Sequence, residues 1–180
     1  PYLAHVCMEP MVATAHVTAD GCEIWLPTQG AYGVRAAVAD VLDIAAAQVT
    51  VHRTYLGTGF GRKIETDYAI QAALAAKAVG APVQVIWSRE EDLQHDFYRP
   101  GFAVRFRGAL DGAGQLLGWD AKAAGESILL ERGLPLPVDP FSVDGLVKIN
   151  GFRGESLPYA IPHQRVTSVQ LEAPIPVGFW

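Results

Sequence analysis

Apolar residues change their period along this chain, from alternate positions to one helical face and back, and that switching admits only a layered fold of sheet and helix. Ala15-His16-Val17-Thr18 and Glu23-Ile24-Trp25-Leu26 flank Asp20-Gly21, the signature of a tight hairpin. After Pro27-Thr28-Gln29-Gly30, the residues Val34, Val38, Val41 and Leu42 fall on one side of a helix. Gln48 to Tyr55 reads as a strand, with Val49, Val51 and Tyr55 at alternate positions. Glu65 to Val79 is an alanine-rich helix with Ile70, Ala73, Leu74 and Lys77 at helical spacing, stopped by Gly80. Pro82 to Trp87 reads as a short buried strand, and Ser88-Arg89-Glu90-Glu91 as a capping box opening a short helix toward His95. Phe102, Val104 and Phe106 alternate with Ala103, Arg105 and Arg107, which predicts a strand with one buried and one wet face. Asp111-Gly112-Ala113-Gly114 turns that strand into a partner over Leu116 to Ala123, and Val166 to Leu171 forms a last strand. The order predicts an α/β (α+β) class, a mixed β-sheet with packed helices.

Length and composition suit one domain over residues 1–180, with a compact α/β part at 1–125 and an irregular extension at 126–180 that carries the final strand. Pro135, Pro137, Pro140, Pro158 and Pro162 remove backbone donors there and break any ladder. The start at Pro1 and the apolar close Pro-Ile-Pro-Val-Gly-Phe-Trp read as cut from a longer polypeptide. Apolar surface uncovered by such a cut favours self-association of the fragment. Half of the residues are hydrophobic and 18% are charged, which gives ample core material and no disorder signature. With a net charge of -5 and no basic cluster, the chain is a poor nucleic-acid binder. No run approaches the roughly twenty apolar residues that a membrane span needs. Cys7 and Cys22 form no metal-binding spacing and are expected to be free, buried thiols.

The sharpest chemical feature is Gly57-Thr58-Gly59-Phe60-Gly61-Arg62-Lys63, set between a strand and a helix. Glycines let backbone N–H groups approach an oxyanion closely, and a helix start adds positive potential. A dinucleotide fingerprint fails because position 62 is arginine, and a phosphate-binding P-loop fails because Lys63 is followed by Ile64. The residues alone equally admit a plain tight turn with a buried Phe60. Other features stay open in the same way. Gln29 either caps the next helix or presents its amide to a ligand, and Arg99 either binds an anion or is an ordinary surface arginine. Glu90, Glu91 and Asp92 read as a solvated helix face, and His95 as a favourable helix C-terminal residue. His5, Cys7, His16 and Cys22 lack the spacing of a structural zinc site.

Five stretches in order carry a resemblance. They are Met8-Glu9-Pro10-Met11 with Ala13-Thr14-Ala15-His16; Trp25-Leu26-Pro27-Thr28-Gln29; Gly59-Phe60-Gly61-Arg62; Trp87-Ser88-Arg89-Glu90-Glu91-Asp92 with His95-Asp96-Phe97-Tyr98-Arg99-Pro100; and Pro176-Val177-Gly178-Phe179-Trp180. Together they resemble the molybdenum-binding subunit of isoquinoline 1-oxidoreductases and their aldehyde dehydrogenase relatives, within the xanthine dehydrogenase and aldehyde oxidase superfamily. The resemblance implies a molybdopterin cofactor, in a cytosine dinucleotide form, and hydroxylation of an aromatic N-heterocycle or aldehyde with oxygen from water. It implies that Gln29 donates its amide to an oxo ligand, that Gly59, Phe60 and Gly61 pass beside the cofactor with the Phe60 ring toward substrate, that Arg99 lies near the substrate channel, and that Phe179 and Trp180 begin a second cofactor loop. Thr58 departs from a glycine in the familiar loop, and Ile64 with Glu65 one position further argues against a purine substrate. The catalytic glutamate implied by the resemblance is not in this sequence, so no catalytic residue is expected here, and the fragment alone is expected neither to bind cofactor nor to catalyse. The implied partners are a [2Fe-2S] small subunit and a c-type cytochrome, the chain itself having no four-cysteine ligand set. The compartment stays open, with a periplasmic or membrane-associated address suggested by resemblance.

Overall fold

The computed structural model describes residues 2–128, 159–172 and 174–180. Most of the irregular extension expected at 126–180 lies outside the described residues. The chain groups into two compact units, one of Ala4–Phe97 with Phe179–Trp180 and the other of Pro1–Leu3 with Tyr98–Gly178. The division falls at residue 97, whereas the sequence reading marks its change of character at 125. Proline density marks loss of regular structure, while a unit boundary marks where packing partners change, and the two need not coincide.

In the first unit, β1 (Val12–Thr18) and β2 (Gly21–Leu26) form the expected antiparallel hairpin, with Ala15 opposite Ile24. β3 (Val49–Arg53) joins β2 in parallel and β4 (Val83–Ile86) joins β1 antiparallel, giving a mixed sheet of order β3-β2-β1-β4. One face carries Ala13 and Ala15 of β1 with Cys22, Ile24 and Leu26 of β2 into the core. Against it pack α1 (Ala31–Leu42), through Val34, Val38 and Leu42, and α2 (Asp67–Val79), through Tyr68, Ala69, Ala72, Ala73 and Ala76. Alanine facing alanine lets α2 approach β1 closely, and so small a gap tolerates no added bulk. Gly80 ends α2 with φ +70 and its N–H on the Ala76 carbonyl at 2.9 Å, as its position predicts. The short α3 (Arg89–Gln94) begins with the Ser88 hydroxyl accepting from Glu91 N–H at 3.2 Å. Cys7 and Cys22 are buried and unbridged.

Several expectations need correction in this unit. The buried face of α2 is not Ile70, Leu74 and Lys77: Leu74 and Lys77 are exposed, and Lys77 Nζ reaches the Leu42 carbonyl at 3.3 Å. With alanine at most positions, packing space rather than hydrophobicity selects the face. β3 stops at Arg53, and Tyr55 is 99% exposed. β4 is an edge strand with Ile86 exposed rather than a buried one. Glu91 lies 3.1 Å from His95 Nδ1, one helical turn on, in place of the reciprocal capping contact.

The second unit is a three-stranded sheet of order β5-β6-β7, from β5 (Phe102–Leu110), β6 (Leu116–Glu126) and β7 (His163–Leu171). Asp111 makes the hairpin turn, its carboxylate accepting from Ala113 and Gln115 N–H at 2.8 and 2.9 Å. β7 runs parallel to β6 and starts three residues before the expected Val166. Burial concentrates on the β6 alanines Ala121 and Ala123, while every residue of β5 is exposed. The expected one-sided burial of Phe102, Val104 and Phe106 is therefore not seen among the described residues. Alternation tells which side chains share a face and not whether anything covers it.

Ala72→Leu puts three extra carbons into the α2–sheet contact and is expected to destabilise the protein by about 1–3 kcal/mol. Urea denaturation checks it: an unchanged midpoint would show that the alanine face is not close-packed.

Candidate functional site

The loop from Gly57 to Gly61 follows β3 and holds three residues at positive φ, Thr58 at +72, Phe60 at +53 and Gly61 at +101. Left-handed backbone costs a non-glycine residue roughly 1–2 kcal/mol, so two such residues in one short loop must be held by their surroundings. Glu9 supplies much of that hold. Its N–H donates to the Gly57 carbonyl at 3.0 Å, and its Oε2 accepts from Gly57 N–H at 3.1 Å and pairs with the buried Lys63 ammonium. Thr58 Oγ1 accepts from Met8 N–H at 2.9 Å, a bond that glycine at this position could not make. The Gly59 carbonyl takes the Arg62 N–H at 2.9 Å and the Cys7 thiol at 3.4 Å. Burial pushes the Cys7 thiol up against the opposing charge of Lys63, which keeps it a donor.

Gln29 fixes the far end of the loop. Its Oε1 accepts from Gly61 N–H at 3.1 Å, and a side chain at Gly59 would overlap the same amide. It does not cap α1, since that helix begins at Ala31 with Gly30 as its N-cap and no side-chain cap. Thr28 makes the neighbouring contacts instead, donating to the Lys63 carbonyl at 3.1 Å and accepting from Gly30 N–H at 3.0 Å. An amide whose oxygen is committed to an N–H has its nitrogen end left to donate. Gln29 Nε2 has no hydrogen-bond acceptor among the described residues, and neither do the backbone N–H groups of Thr58, Gly59 and Phe60. Phe60 is 56% exposed, so the plain turn with a buried ring is not what forms.

Below the loop, Arg62 is fully buried. It forks onto Asp67 with NH1–Oδ1 and NH2–Oδ2 distances of 2.9 and 2.7 Å. Its Nε lies 2.8 Å from Asp96 Oδ1 as an ion-pair contact without hydrogen-bond alignment. The guanidinium also lies 5.4 Å from the Trp87 ring centre and 5.2 Å from that of Phe97. Burial works to lower its pKa, but Asp67 and Asp96 outweigh it and hold the guanidinium above its ordinary value. Asp96 also accepts from His5 N–H at 2.5 Å and Phe97 N–H at 2.8 Å, and both its oxygens lie 3.1 Å from His5 Nδ1. His5 Nε2 reaches the Phe179 carbonyl oxygen at 2.7 Å, and its ring stacks on Trp180 with centroids 4.3 Å apart. A side chain at Gly61 would collide with that same carbonyl.

Gln29, Gly59, Phe60, Gly61, Phe179 and Trp180, singled out by resemblance, thus all belong to one compact unit, and hydrogen bonds or close approach link Gln29 to Gly61 and Gly61 to Phe179. Arg99 belongs to the other unit, where it is exposed and its N–H donates to the Leu3 carbonyl at 2.9 Å. Sequence reasoning missed Glu9 and Lys63 as loop anchors, and His5, Arg62 and Asp96 as a chain of contacts. No local pattern signals a pair 91 positions apart. Among the described residues no three His, Cys, Asp or Glu side chains, including His5, Cys7, His16 and Cys22, come together in a group that could hold a metal ion. The donor set of the loop is nitrogen-only, and its nearest carboxylate, Glu9, is already neutralised by Lys63. It therefore fits an oxygen-rich anionic group of the molybdopterin kind.

Arg62→Met leaves Asp67 and Asp96 facing an apolar side chain and is expected to cost about 3–5 kcal/mol. Gly61→Ala combines strained φ with overpacking against Phe179 and is expected to cost roughly 2–5 kcal/mol. Equilibrium denaturation measures both; a loss under about 1 kcal/mol for either, within the noise of ordinary surface changes, would remove this network as the support of the loop.

The sequence is 38% identical over 104 residues to the isoquinoline 1-oxidoreductase subunit beta of Brevundimonas diminuta, covering 57% of this chain and 13% of that protein. It is 32% identical over 150 residues to the pyrroloquinoline-quinone membrane-bound aldehyde dehydrogenase of Gluconacetobacter polyoxogenes, covering 78% of this chain and 19% of that one. Quinoline 2-oxidoreductase of Pseudomonas putida 86 shares the fold, with a TM-score of 0.76 at 21% identity over 99% of this chain and 22% of its own. The chain thus spans about a fifth or less of the curated relatives it matches. Residues 1–128 match the family described as the molybdopterin cofactor-binding domain, and the chain belongs to that family.

Proposed function

We propose that this chain is part of the large subunit of a molybdenum hydroxylase that oxidises an aromatic N-heterocycle or an aldehyde, taking its oxygen from water. The observation that carries the reading is the loop itself, where Thr58, Gly59 and Phe60 N–H and Gln29 Nε2 form a donor set that the described protein does not use. Bound there, the cofactor supplies two-electron redox chemistry at molybdenum. Everything else is the work of side chains and backbone. Gln29, its oxygen tied to Gly61, donates through Nε2 to a cofactor oxygen. The loop amides bind the cofactor's oxygens, and the strained backbone places them before anything binds, so no ordering cost is incurred on binding. The exposed Phe60 ring shapes the substrate side, and Phe179 with Trp180 forms the adjoining wall. Ile64, standing near where a purine enzyme places a substrate glutamate, favours a less polar substrate than a purine.

The finer expectations go with this reading. They are a cytosine dinucleotide form of the cofactor and electron transfer to a [2Fe-2S] partner subunit, with a c-type cytochrome beyond it. The catalytic base lies in protein outside this sequence.

Purifying the full-length protein with its natural partner, from a host that makes the cofactor, tests the proposal through molybdenum and released pterin. Near-stoichiometric amounts of both support it; assembled protein with neither, or with a quinone in their place, overturns it. Gln29→Glu keeps the acceptor for Gly61 and turns the donor into a second oxygen. It is expected to leave the melting temperature unchanged and to lower cofactor affinity by about 10- to 150-fold, the value of a hydrogen bond to a charged group. Unaltered molybdenum content in this variant would take Gln29 out of the cofactor site.

A further inference from the structure

We propose that His5 is a positioning residue, which sets the Phe179–Trp180 segment against the Gly57–Gly61 loop so that the two segments meet the cofactor as one preformed wall. The inference rests on the cofactor reading above and adds a role that the resemblance does not assign. Its basis is the bonding of the imidazole. A backbone carbonyl has no proton to give, so at 2.7 Å from the Phe179 oxygen His5 Nε2 must be the donor. At the other end Nδ1 lies 3.1 Å from both oxygens of Asp96, and the backbone N–H of His5 donates to the same carboxylate at 2.5 Å. Asp96 is in turn fixed by Phe97 N–H at 2.8 Å and by contact with buried Arg62 at 2.8 Å.

The ring is therefore held at both ends and by its face, which stacks on Trp180 at 4.3 Å with 21° between the planes. An ordinary core histidine needs only to satisfy its two nitrogens, and any nearby acceptors suffice. Here the acceptor at Nε2 is the very carbonyl that lies against the bare Cα of Gly61, the residue whose N–H Gln29 holds. Gly61 provides the space for the approach and His5 provides the bond that keeps the carbonyl there. The chain of contacts runs Asp67, Arg62, Asp96, His5, Phe179, from the start of α2 to the second segment. His5 does not itself reach the donor set of the loop, so its effect passes through Phe179.

The test compares His5→Gln, His5→Asn and His5→Ala in the full-length protein with its partner. A glutamine amide nitrogen stands near the place of Nε2 and keeps the donor to Phe179, while an asparagine nitrogen stands near Nδ1, beside Asp96, and leaves the Phe179 carbonyl without that donor. Three readouts are taken: molybdenum per protein, melting temperature, and hydrogen exchange at Phe179–Trp180. His5→Gln is expected to retain most of the molybdenum and the exchange protection. His5→Asn and His5→Ala are expected to lose about tenfold in both, the worth of one buried hydrogen bond. A purely structural ring predicts something else, Gln and Asn variants that are equal, or losses that simply track the melting temperature, and either result overturns the proposal. If the wild-type protein holds no molybdenum, the cofactor reading fails, and exchange at Phe179–Trp180 still decides the role of His5.

Discussion

A guanidinium with no exposed surface holds the first unit's loop in place. Arg62 follows directly on the strained Gly57–Gly61 turn, and its two carboxylate partners belong to different parts of the chain, Asp67 at the start of α2 and Asp96 just after α3. Burying a charge is costly unless it is paired and hydrogen-bonded, so the fold can close here only with both acids in position. Once they are, the loop cannot drift from the helix, and Asp96 is oriented for His5. Lys63 repeats the device one residue on, pairing with Glu9 and pulling the N-terminal segment under the loop. Two adjacent buried cations thus turn a short glycine-rich connection into a rigid one.

That rigidity is what positive φ at Thr58 and Phe60 requires. A free loop would relax out of the left-handed region, and only surroundings that fix both ends keep it there. The consequence is a loop in which Thr58, Gly59 and Phe60 N–H have no acceptor among the described residues, with Gln29 tied to the loop by its oxygen. Preorganised donors of this kind cost nothing to arrange when an anionic ligand arrives, which is the general advantage of building a site from backbone rather than from long side chains. The platform underneath is correspondingly tight. Alanines on β1 and α2 share one buried cluster and leave little space between sheet and helix.

Much of this was legible from residue pattern. The hairpin at Asp20-Gly21, the Val34, Val38 and Leu42 face of α1, the stop at Gly80 and the Ser88 cap follow from local rules that act within a few residues. The ordered motifs around Gln29, Gly59, Phe60, Gly61, Phe179 and Trp180 pointed to the family, while the grouping of Phe179 and Trp180 with the loop's unit came only from the fold. Local rules failed where neighbours decide. In a helix as rich in alanine as α2, no face stands out as apolar, so Ile70 and Leu74 competed with Tyr68 and Ala72 until the sheet was in place. On β5 the residues Phe102, Val104 and Phe106 do alternate, but no burial of them is seen among the described residues. Gln29 could have been a helix cap, and only the approach of Gly61 made it a loop anchor.

The sequence by itself determined the element order, the mixed-sheet class, the membership of the family and the place of the glycine loop between strand and helix. These depend on period, turn chemistry and motif order, all written along the chain. The tertiary structure alone decided that Arg62 and Lys63 are interior cations, that Glu9 neutralises one and Asp67 with Asp96 the other, and that His5 joins Asp96 to the Phe179 carbonyl. Side-chain pairing is a property of distance, and residues 91 positions apart carry no local sign that folding will bring their side chains within 3.1 Å.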